Sequence, residues 1–257
     1  MQRSNIYILA FSTIMTVLIG GSMSLTSVLL KPAQDKQVEL DTKKKILGAV
    51  MDISTFKTPE EVLMLYKNRV KSIVVNIKGE LISKDVKGNP LIAEKVNAQK
   101  NHKITRNERL YPVYMILNES DTNAVEAYVF PMFGLGLWDW ISGYIALESD
   151  LNTVKGVAFD HKGETPGLGA RITEKKVTNR YKNTKKIFNE AGELESITMI
   201  KGEGNPPKSM HEVDGLSGAT ITAKGVNKML REYLDCYQNF IKNKKGENGI
   251  AINLEKN

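Results

Sequence analysis

The chain has little cysteine and histidine. Its 257 residues include one cysteine, Cys236, and three histidines, His102, His161 and His211. A single cysteine excludes an intrachain disulfide and a cysteine-held iron–sulfur cluster, and the histidines lack the spacing of metal ligands. The sequence therefore predicts no metal site. Cys236 lies in a helical pattern, where a lone cysteine is usually a small buried apolar residue.

Two kinds of binding motif are also missing. No Gly-x-Gly-x-x-Gly sequence follows a strand, so no dinucleotide loop is predicted. The net charge of +7 would suit nucleic acid, but the sequence has no RRM, zinc-finger or helix-turn-helix signature, and its lysines are spread along the chain. We interpret the basic surface as solvated, with a bias toward anionic lipid or acidic partners.

Charge is absent from a long stretch near the N-terminus. Residues Ile6–Leu30 are 25 consecutive uncharged residues, most of them apolar. As a helix they span roughly 37 Å, enough to cross a hydrocarbon core of about 30 Å. Lys31-Pro32 follows the run, and a proline commonly marks a helix end. We therefore expect residues 1–31 to form a transmembrane anchor whose helix stops at Pro32.

A cleaved signal peptide is the competing interpretation of this stretch. Ile6–Ile19 has the length of a signal core, and Gly20-Gly21-Ser22 supplies small residues after it. The apolar residues from Met23 to Leu30 continue the run past that point and favour a retained anchor. Counting charges leaves the orientation open, because lysines follow the run just as Arg3 precedes it.

The rest of the chain mixes helical and strand patterns. We expect a helix over Val38–Met51 and another from Thr58, where Thr58-Pro59-Glu60-Glu61 combines an N-cap, a helix-starting proline and a capping-box glutamate. Residues Ala93–Arg109 are expected to be helix and loop. An amphipathic helix over Thr220–Ile241 should pack on a sheet, and the polar tail after Lys242 should fray.

Six segments are predicted to be strands: Ser72–Ile77, Leu110–Leu117, Ala124–Phe130, Trp140–Leu147, Val154–Phe159 and Leu194–Ile200. Short connections join most of them, which favours antiparallel pairing. The predicted fold class is α+β, with a single N-terminal transmembrane helix followed by a mainly antiparallel sheet domain.

Small residues precede the last helix, in Asp214-Gly215-Leu216-Ser217-Gly218-Ala219-Thr220. They place a threonine hydroxyl where the first helical turn offers free N–H groups and a positive dipole end, which suits a phosphate, bound as an ion or as an ester. The alternative is a plain junction with Ser217 or Thr220 as the N-cap. Thr222 offers a second hydroxyl nearby, so local chemistry leaves open which oxygen would be modified.

Two further segments are rich in glycine. The loop Glu164-Thr165-Pro166-Gly167-Leu168-Gly169 would let the backbone approach a flat ligand closely, although a tight turn without a ligand has the same pattern. In Pro131–Trp140, glycines alternate with large apolar residues. Trp140 is interpreted as a core residue, whereas Trp138 fits either the core or a hydrophobic rim around a ligand.

These segments resemble the FMN-binding domain family. Ser217-Gly218-Ala219-Thr220 resembles its flavinylation motif, and Glu164–Gly169 resembles its second signature. The resemblance implies covalent FMN on Thr220, joined through its phosphate. It also implies cofactor contacts from the following residues: Trp138, Glu164, Thr165, Gly167, Leu168, Gly169, Asp214, Leu216, Ser217, Gly218 and Ala219.

Over its whole length the chain is similar to the C-subunit family of the Na+-translocating NADH:quinone reductase, which is paralogous to the G-subunit family of the Rnf complex. This implies an electron-carrying flavoprotein that is catalytically incomplete alone and works with other membrane and peripheral subunits. It further implies maturation by a flavin transferase, and an inner-membrane anchor with the large domain on the periplasmic side.

The domain organisation that follows has four parts: an anchor at 1–31, an extracytoplasmic N-terminal part at 32–109, the FMN-binding domain at 110–245 and a polar tail at 246–257. Two alternatives stay open. One is a component of an Rnf-type or other extracytoplasmic electron-transfer chain, and the other is a membrane-tethered binding domain without redox activity.

Overall fold

A computed structural model describes residues 4–85 and 87–254 of the chain. The chain divides into two compact units, residues 1–42 and 43–257. Helix α1, Asn5–Gly48, makes up the first unit, and its last residues belong to the second. Among the described residues, α1 is the one helix long and apolar enough to cross a membrane, and its most apolar stretch is fully exposed.

The hydroxyl groups of this apolar stretch bond to the helix itself. Thr16 Oγ1 donates to the Ser12 carbonyl at 2.8 Å, and Thr26 Oγ1 donates to the Ser22 carbonyl at 2.8 Å. A hydrocarbon environment offers no water to such groups, so internal bonding removes the cost of placing them there. The local chemistry of α1 therefore agrees with the predicted anchor.

The prediction that this helix stops at Pro32 is wrong. Pro32 lies inside α1, which continues to Gly48 and takes in most of the separate helix predicted for Val38–Met51. A proline within a helix forfeits one backbone bond, and the neighbouring residues are mostly good helix formers that compensate for it. The helix ends where a glycine interrupts that run.

The second unit is built on a five-stranded antiparallel sheet. Its strands follow the chain order, each paired with the next. They are β1 (Val70–Val75), β2 (Tyr111–Leu117), β3 (Val125–Leu135), β4 (Trp140–Glu148) and β5 (Val154–His161). The predicted α+β class and antiparallel pairing are confirmed. The connections between β2, β3, β4 and β5 are too short for parallel crossovers.

Shorter helices flank the sheet. They are α2 (Pro59–Arg69), α3 (Ala98–His102) and α4 (Lys175–Thr178). Helix α2 begins as predicted, with Thr58 accepting the Glu61 N–H at 3.3 Å. The Glu61 carboxylate accepts the backbone N–H of Lys57 at 2.9 Å, one residue earlier than a standard capping box.

The last helix, α5 (Thr220–Leu254), lies across the sheet. The Tyr237 hydroxyl donates to the Pro112 carbonyl at 2.9 Å, and its ring packs against Phe130 with centroids 4.7 Å apart. Two glycines allow the helix to come close to β3. A Cβ on Gly134 would lie 2.9 Å from Met229 Cβ, and a Cβ on Gly225 would clash with the Leu135 carbonyl oxygen. Close packing fixes the start of α5 against the end of β3.

Two predictions in this half of the chain fail. The predicted strand over Leu194–Ile200 is reduced to β6 (Thr198–Met199), which pairs in parallel with β7 (Glu212–Val213). Ser196 has φ +66°, which breaks an extended run. The predicted frayed tail is part of α5, which continues past Lys242 to Leu254.

An asparagine on α5 completes the hydrogen bonding of β6. Asn227 Oδ1 accepts the Met199 N–H at 2.7 Å, and Asn227 Nδ2 donates to the Met199 carbonyl at 2.9 Å. Met199 is buried, so water cannot replace these bonds. The amide takes the place of a neighbouring strand and joins β6 to the helix.

We predict that Asn227→Ala lowers the free energy of unfolding by about 2 kcal/mol, because it leaves a buried N–H and C=O unpaired. That loss should lower the Tm by roughly 4–8 °C. Thermal unfolding of the full-length protein in detergent measures it. Lys228→Ala, at an exposed neighbouring position, serves as the control. Equal Tm values for the two variants would contradict the assigned role of Asn227.

Candidate functional site

Thr220 is the first residue of α5, as predicted. The Ala219 carbonyl accepts the Ala223 N–H at 2.9 Å, so Ala219 occupies the N-cap position rather than Ser217 or Thr220. The Thr220 side chain is exposed, and within the described part of the chain no hydrogen bond engages its hydroxyl. The structure thus presents a hydroxyl group to solvent beside the positive end of a long helix.

The neighbouring hydroxyl is placed differently. Thr222 is 1% exposed, and its Oγ1 donates to Glu164 Oε2 at 2.5 Å. This hydroxyl is neither accessible nor free. The structure therefore separates the two threonines that the local sequence could not separate: the Thr220 hydroxyl is exposed and the Thr222 hydroxyl is buried.

The backbone before Thr220 needs its glycines. Gly218 has φ +71°, and a Cβ there would lie 2.7 Å from Leu168 Cδ2. A Cβ on Gly215 would clash with the carbonyl oxygens of Ile200 and Gly202. Gly218 therefore lets the threonine segment approach the Glu164–Gly169 loop, and Gly215 lets it approach the chain that follows β6.

A cluster of charged side chains forms hydrogen bonds to this segment. Arg171 donates two hydrogen bonds to the Glu203 carboxylate, at 2.9 and 2.6 Å, and Arg180 adds a third at 3.0 Å. The Ser217 N–H also points to Glu203, at 3.3 Å. The two guanidinium groups, followed by this N–H, lower the pKa of Glu203 to about 2. Glu203 therefore holds the segment through its backbone.

Asp214 has a similar supporting position. Its carboxylate accepts the N–H groups of Gly204 and Asn205 at 3.0 and 3.1 Å. Arg180 donates to the carbonyl oxygens of Asp214 and Gly215 at 3.0 and 2.5 Å. The Asp214 side chain thus bonds to the backbone of the chain after β6 and stabilises a turn there. Its predicted contact with a cofactor stays a prediction.

Glu164 is buried, with 4% of its surface exposed. Its Oε1 accepts the backbone N–H groups of Leu137 and Trp138 at 2.7 and 3.1 Å, and its Oε2 accepts the Thr222 hydroxyl. Both oxygens are therefore engaged inside the protein. The structure places Glu164 at the site, as predicted, but directs its carboxylate to the protein.

Trp138 lies in the turn between β3 and β4, so the core alternative for Trp138 is wrong. Trp138 is 69% exposed, and its Nε1 donates to Thr165 Oγ1 at 3.2 Å. Trp140 is half-buried, with its ring 6.1 Å from that of Phe133, which agrees with a core position. The structure thus assigns Trp138 to the surface and Trp140 to the core.

Exposed apolar side chains lie on the three segments that meet at Glu164. We call this set the apolar rim; its members are Leu135, Leu137, Trp138, Leu168 and Ile221. They belong to the end of β3 and the β3–β4 turn, to the loop after β5 and to the first turn of α5. Exposed apolar patches of this kind mark binding sites for ligands or partners.

A groove opens on another side of Thr220. It has a volume of about 410 Å³ and lies between β6 with the chain that follows it and the first two turns of α5. Thr220, Lys224 and Asn227 line it from the helix, and Lys201 lines it from the opposite side. Sequence reasoning missed Lys201, Lys224 and Asn227, although the i, i+4 spacing places Lys224 on the helix face of Thr220.

The predicted cofactor residues divide by exposure. The exposed ones are Trp138, Thr165, Gly167, Leu168, Ser217, Gly218 and Thr220. The remainder are buried or half-buried: Glu164, Gly169, Asp214, Leu216 and Ala219. Gly167 has φ +75° and open space where a Cβ would lie, so the loop presents bare backbone at that point. The cofactor contacts predicted for these residues stay a prediction.

Comparisons with known proteins identify the family of the chain. The family described as FMN-binding domain matches residues 136–235, which include the β3–β4 turn, the Glu164–Gly169 loop and the threonine segment. The chain is 33% identical over 261 residues to the C-subunit of the Na+-translocating NADH-quinone reductase of Pseudomonas aeruginosa, covering 95% of this chain and 97% of that relative. The C-subunit of the Haemophilus ducreyi reductase is 34% identical, with 78% of each chain covered.

Solved structures give the same relationship. The C-subunit from Parabacteroides distasonis, known from a crystal structure, has 32% sequence identity to this chain and a TM-score of 0.69. The match covers 82% of this chain and 96% of that one. The crystal structure of NqrC from Shewanella oneidensis has 25% sequence identity to this chain and a TM-score of 0.69; the match covers 82% of this chain and 99% of that one. By sequence along nearly its full length and by fold, the chain belongs to the C-subunit family of the Na+-translocating NADH-quinone reductase.

Proposed function

We propose that the chain carries FMN, bound covalently through its phosphate to Thr220 Oγ1, and relays electrons within a Na+-translocating NADH-quinone reductase. The observation that carries the proposal is the contrast between two hydroxyl groups. Thr220 is exposed at the first residue of α5, whereas Thr222 is buried and bonded to Glu164. A transferase that must reach an oxygen atom finds Thr220.

The residues around Thr220 fit this cofactor. FMN combines a flat apolar ring with an anionic phosphate, and the surface offers a counterpart for each part. The apolar rim, with Trp138 and Leu168, would hold the ring beside the bare backbone at Gly167. Lys224, one turn after Thr220, and the N-terminal end of α5 would compensate the charge of the phosphate.

When bound, FMN supplies the capacity to take up and release electrons. The chain's own residues tether the cofactor, orient its ring and shield one face of it from water. The single cysteine and the absence of a dinucleotide motif give the chain no other redox centre in its sequence. Electrons would therefore arrive from other subunits of the complex and leave to them.

The proposal includes a membrane location and a maturation step. Helix α1 would anchor the chain in the inner membrane, with everything after Lys31 on the periplasmic side. A flavin transferase that uses FAD and magnesium would install FMN there. A covalent bond suits this location, because a cofactor lost outside the cytoplasm would not be recovered.

Two alternatives remain distinct from this proposal. A role like that of the Rnf G-subunit keeps the flavin, and the relatives named as C-subunits of the Na+-translocating reductase argue against it. A membrane-tethered binding domain would carry no flavin, and the exposed, unbonded Thr220 hydroxyl argues against it. A yellow chromophore that stays with the denatured protein separates the second alternative from the proposal.

We predict that Thr220→Val abolishes flavin fluorescence in a denaturing gel of membranes from cells that contain the transferase. The substitution removes the oxygen and keeps the shape of the side chain. Thr222→Val is the matched control and should keep the fluorescence, since its hydroxyl is buried. The assignment would be contradicted if Thr222→Val lost the fluorescence and Thr220→Val kept it.

Gly167→Val should change the visible spectrum or the midpoint potential of the attached flavin. The added side chain occupies open space in front of the loop and strains a residue at φ +75°. Attachment itself should survive, because the transferase reads the threonine segment. Gly192→Val is the control, since Gly192 has φ +77°, equally open surroundings and no place in the site. An unchanged flavin in folded Gly167→Val would remove this loop from the ring's environment.

External protease should cleave the second unit in intact spheroplasts, because we place it on the periplasmic side. Alkaline washing should leave the protein in the membrane, since a helix with 25 uncharged residues is an effectively irreversible anchor. A cytoplasmic protein that becomes digested only after lysis serves as the control. Cleavage of the second unit only after the membrane is opened would place it inside the cell.

A further inference from the structure

Glu164 is a buried carboxylate that bonds only to neutral groups. Its three donors are the backbone N–H groups of Leu137 and Trp138 and the hydroxyl of Thr222. Within the described residues it forms no salt bridge. A carboxylate is costly to bury unless hydrogen bonds replace its water, so each of the three bonds contributes to keeping it in place.

The surrounding chain leaves space for this carboxylate and for nothing larger. A Cβ on Gly136 would clash with Glu164 Oε1 and would lie 3.0 Å from Ile141 Cγ2. A Cβ on Gly169 would clash with Glu164 Oε2 and would lie 2.5 Å from Thr222 Oγ1. Two glycines from different segments therefore close on the two oxygens. The arrangement makes Glu164 the junction of the β3–β4 turn, its own loop and α5.

The junction connects Trp138 to the residue that we propose to be modified. Thr222 lies two residues after Thr220 on the same rigid helix. Glu164 joins Thr222 to the backbone N–H of Trp138, whose indole is 69% exposed and has a single hydrogen bond, to Thr165. The indole has few contacts of its own, so its position relative to Thr220 depends on the backbone that Glu164 holds.

We propose that Glu164 is a positioning residue of the cofactor site, which sets the place of the Trp138 indole relative to Thr220 through its bonds to Trp138 and Thr222. It does not bind the cofactor with its carboxylate, because both oxygens are engaged in the protein. This inference rests on the proposed function, since it assigns the residue that orders one wall of the flavin site.

The first experiment uses full-length protein made without the flavin transferase, in detergent. Trp140→Phe in every sample leaves Trp138 as the one tryptophan of the two in the sequence. Time-resolved fluorescence anisotropy then reports the freedom of the Trp138 indole. Glu164→Ala should lose most of the residual anisotropy, because the Leu137 and Trp138 N–H groups lose their acceptor. Thr222→Val should lose part of it, and Thr222→Ser should retain it.

The second experiment uses the same variants with the transferase present. The visible circular dichroism and midpoint potential of the flavin should shift in the same order, with Thr222→Ser like the parent protein. Glu119→Ala, an exposed carboxylate in the β2–β3 turn, is the matched control and should change neither measurement. A loss of general stability alone would not be rescued selectively by a serine hydroxyl at position 222.

Unchanged Trp138 anisotropy in folded Glu164→Ala would overturn the proposal. If Glu164→Ala fails to fold, the Thr222→Val and Thr222→Ser pair decides it, and equal behaviour of those two variants overturns it as well. The cofactor-free experiment keeps this inference separate from the proposed function. If Trp138 loses order in that experiment while the parent protein carries no flavin on Thr220, the proposed function fails and the anchoring of Trp138 by Glu164 stands.

Discussion

The hydrogen bonds to the Glu164 carboxylate connect every segment of the candidate site. The β3–β4 turn, the loop after β5 and the start of α5 come from distant parts of the chain, and they meet at this one group. Its burial is made possible by Gly136 and Gly169, which leave no side-chain atoms where its oxygens lie. The packing of α5 on β3 through Gly134 and Gly225 then fixes where Thr220 is presented.

In this site, one set of residues stabilises the backbone and another set is exposed to ligands or partners. Charged groups behind the threonine segment bond to one another and to backbone, as Glu203 does with Arg171 and Arg180. Exposed apolar groups and the unbonded Thr220 hydroxyl face outward. A tethered carrier that exchanges electrons with other subunits needs this arrangement, because the cofactor must be held firmly on one side and approached on the other.

Much of the fold was predictable from the sequence. Patterns of apolar residues and the turn residues between them predicted all five strands of the antiparallel sheet, and the capping residues around Thr58 predicted the start of α2. The helix beginning at Thr220 was also correct. These predictions depend on local patterns, and local patterns survive in the folded chain.

The errors have different physical origins. A helix that continued through Pro32 could not be foreseen from the proline alone, because the residues beyond it decide whether the lost bond is compensated. The Leu194–Ile200 segment lost most of its strand to the positive φ of Ser196. The inward direction of Glu164 and its bond to Thr222 join residues 58 positions apart, and no local pattern encodes such a contact.

Mass spectrometry of the tryptic peptide 209–224 from membranes containing the flavin transferase tests covalent attachment at Thr220 most directly. This peptide holds Ser209, Ser217, Thr220 and Thr222, so its fragment ions distinguish the four hydroxyl groups. We predict that the peptide is heavier by one FMN minus water, with the added mass on Thr220. An unmodified peptide, or the added mass on Ser217 or Thr222, would contradict this assignment.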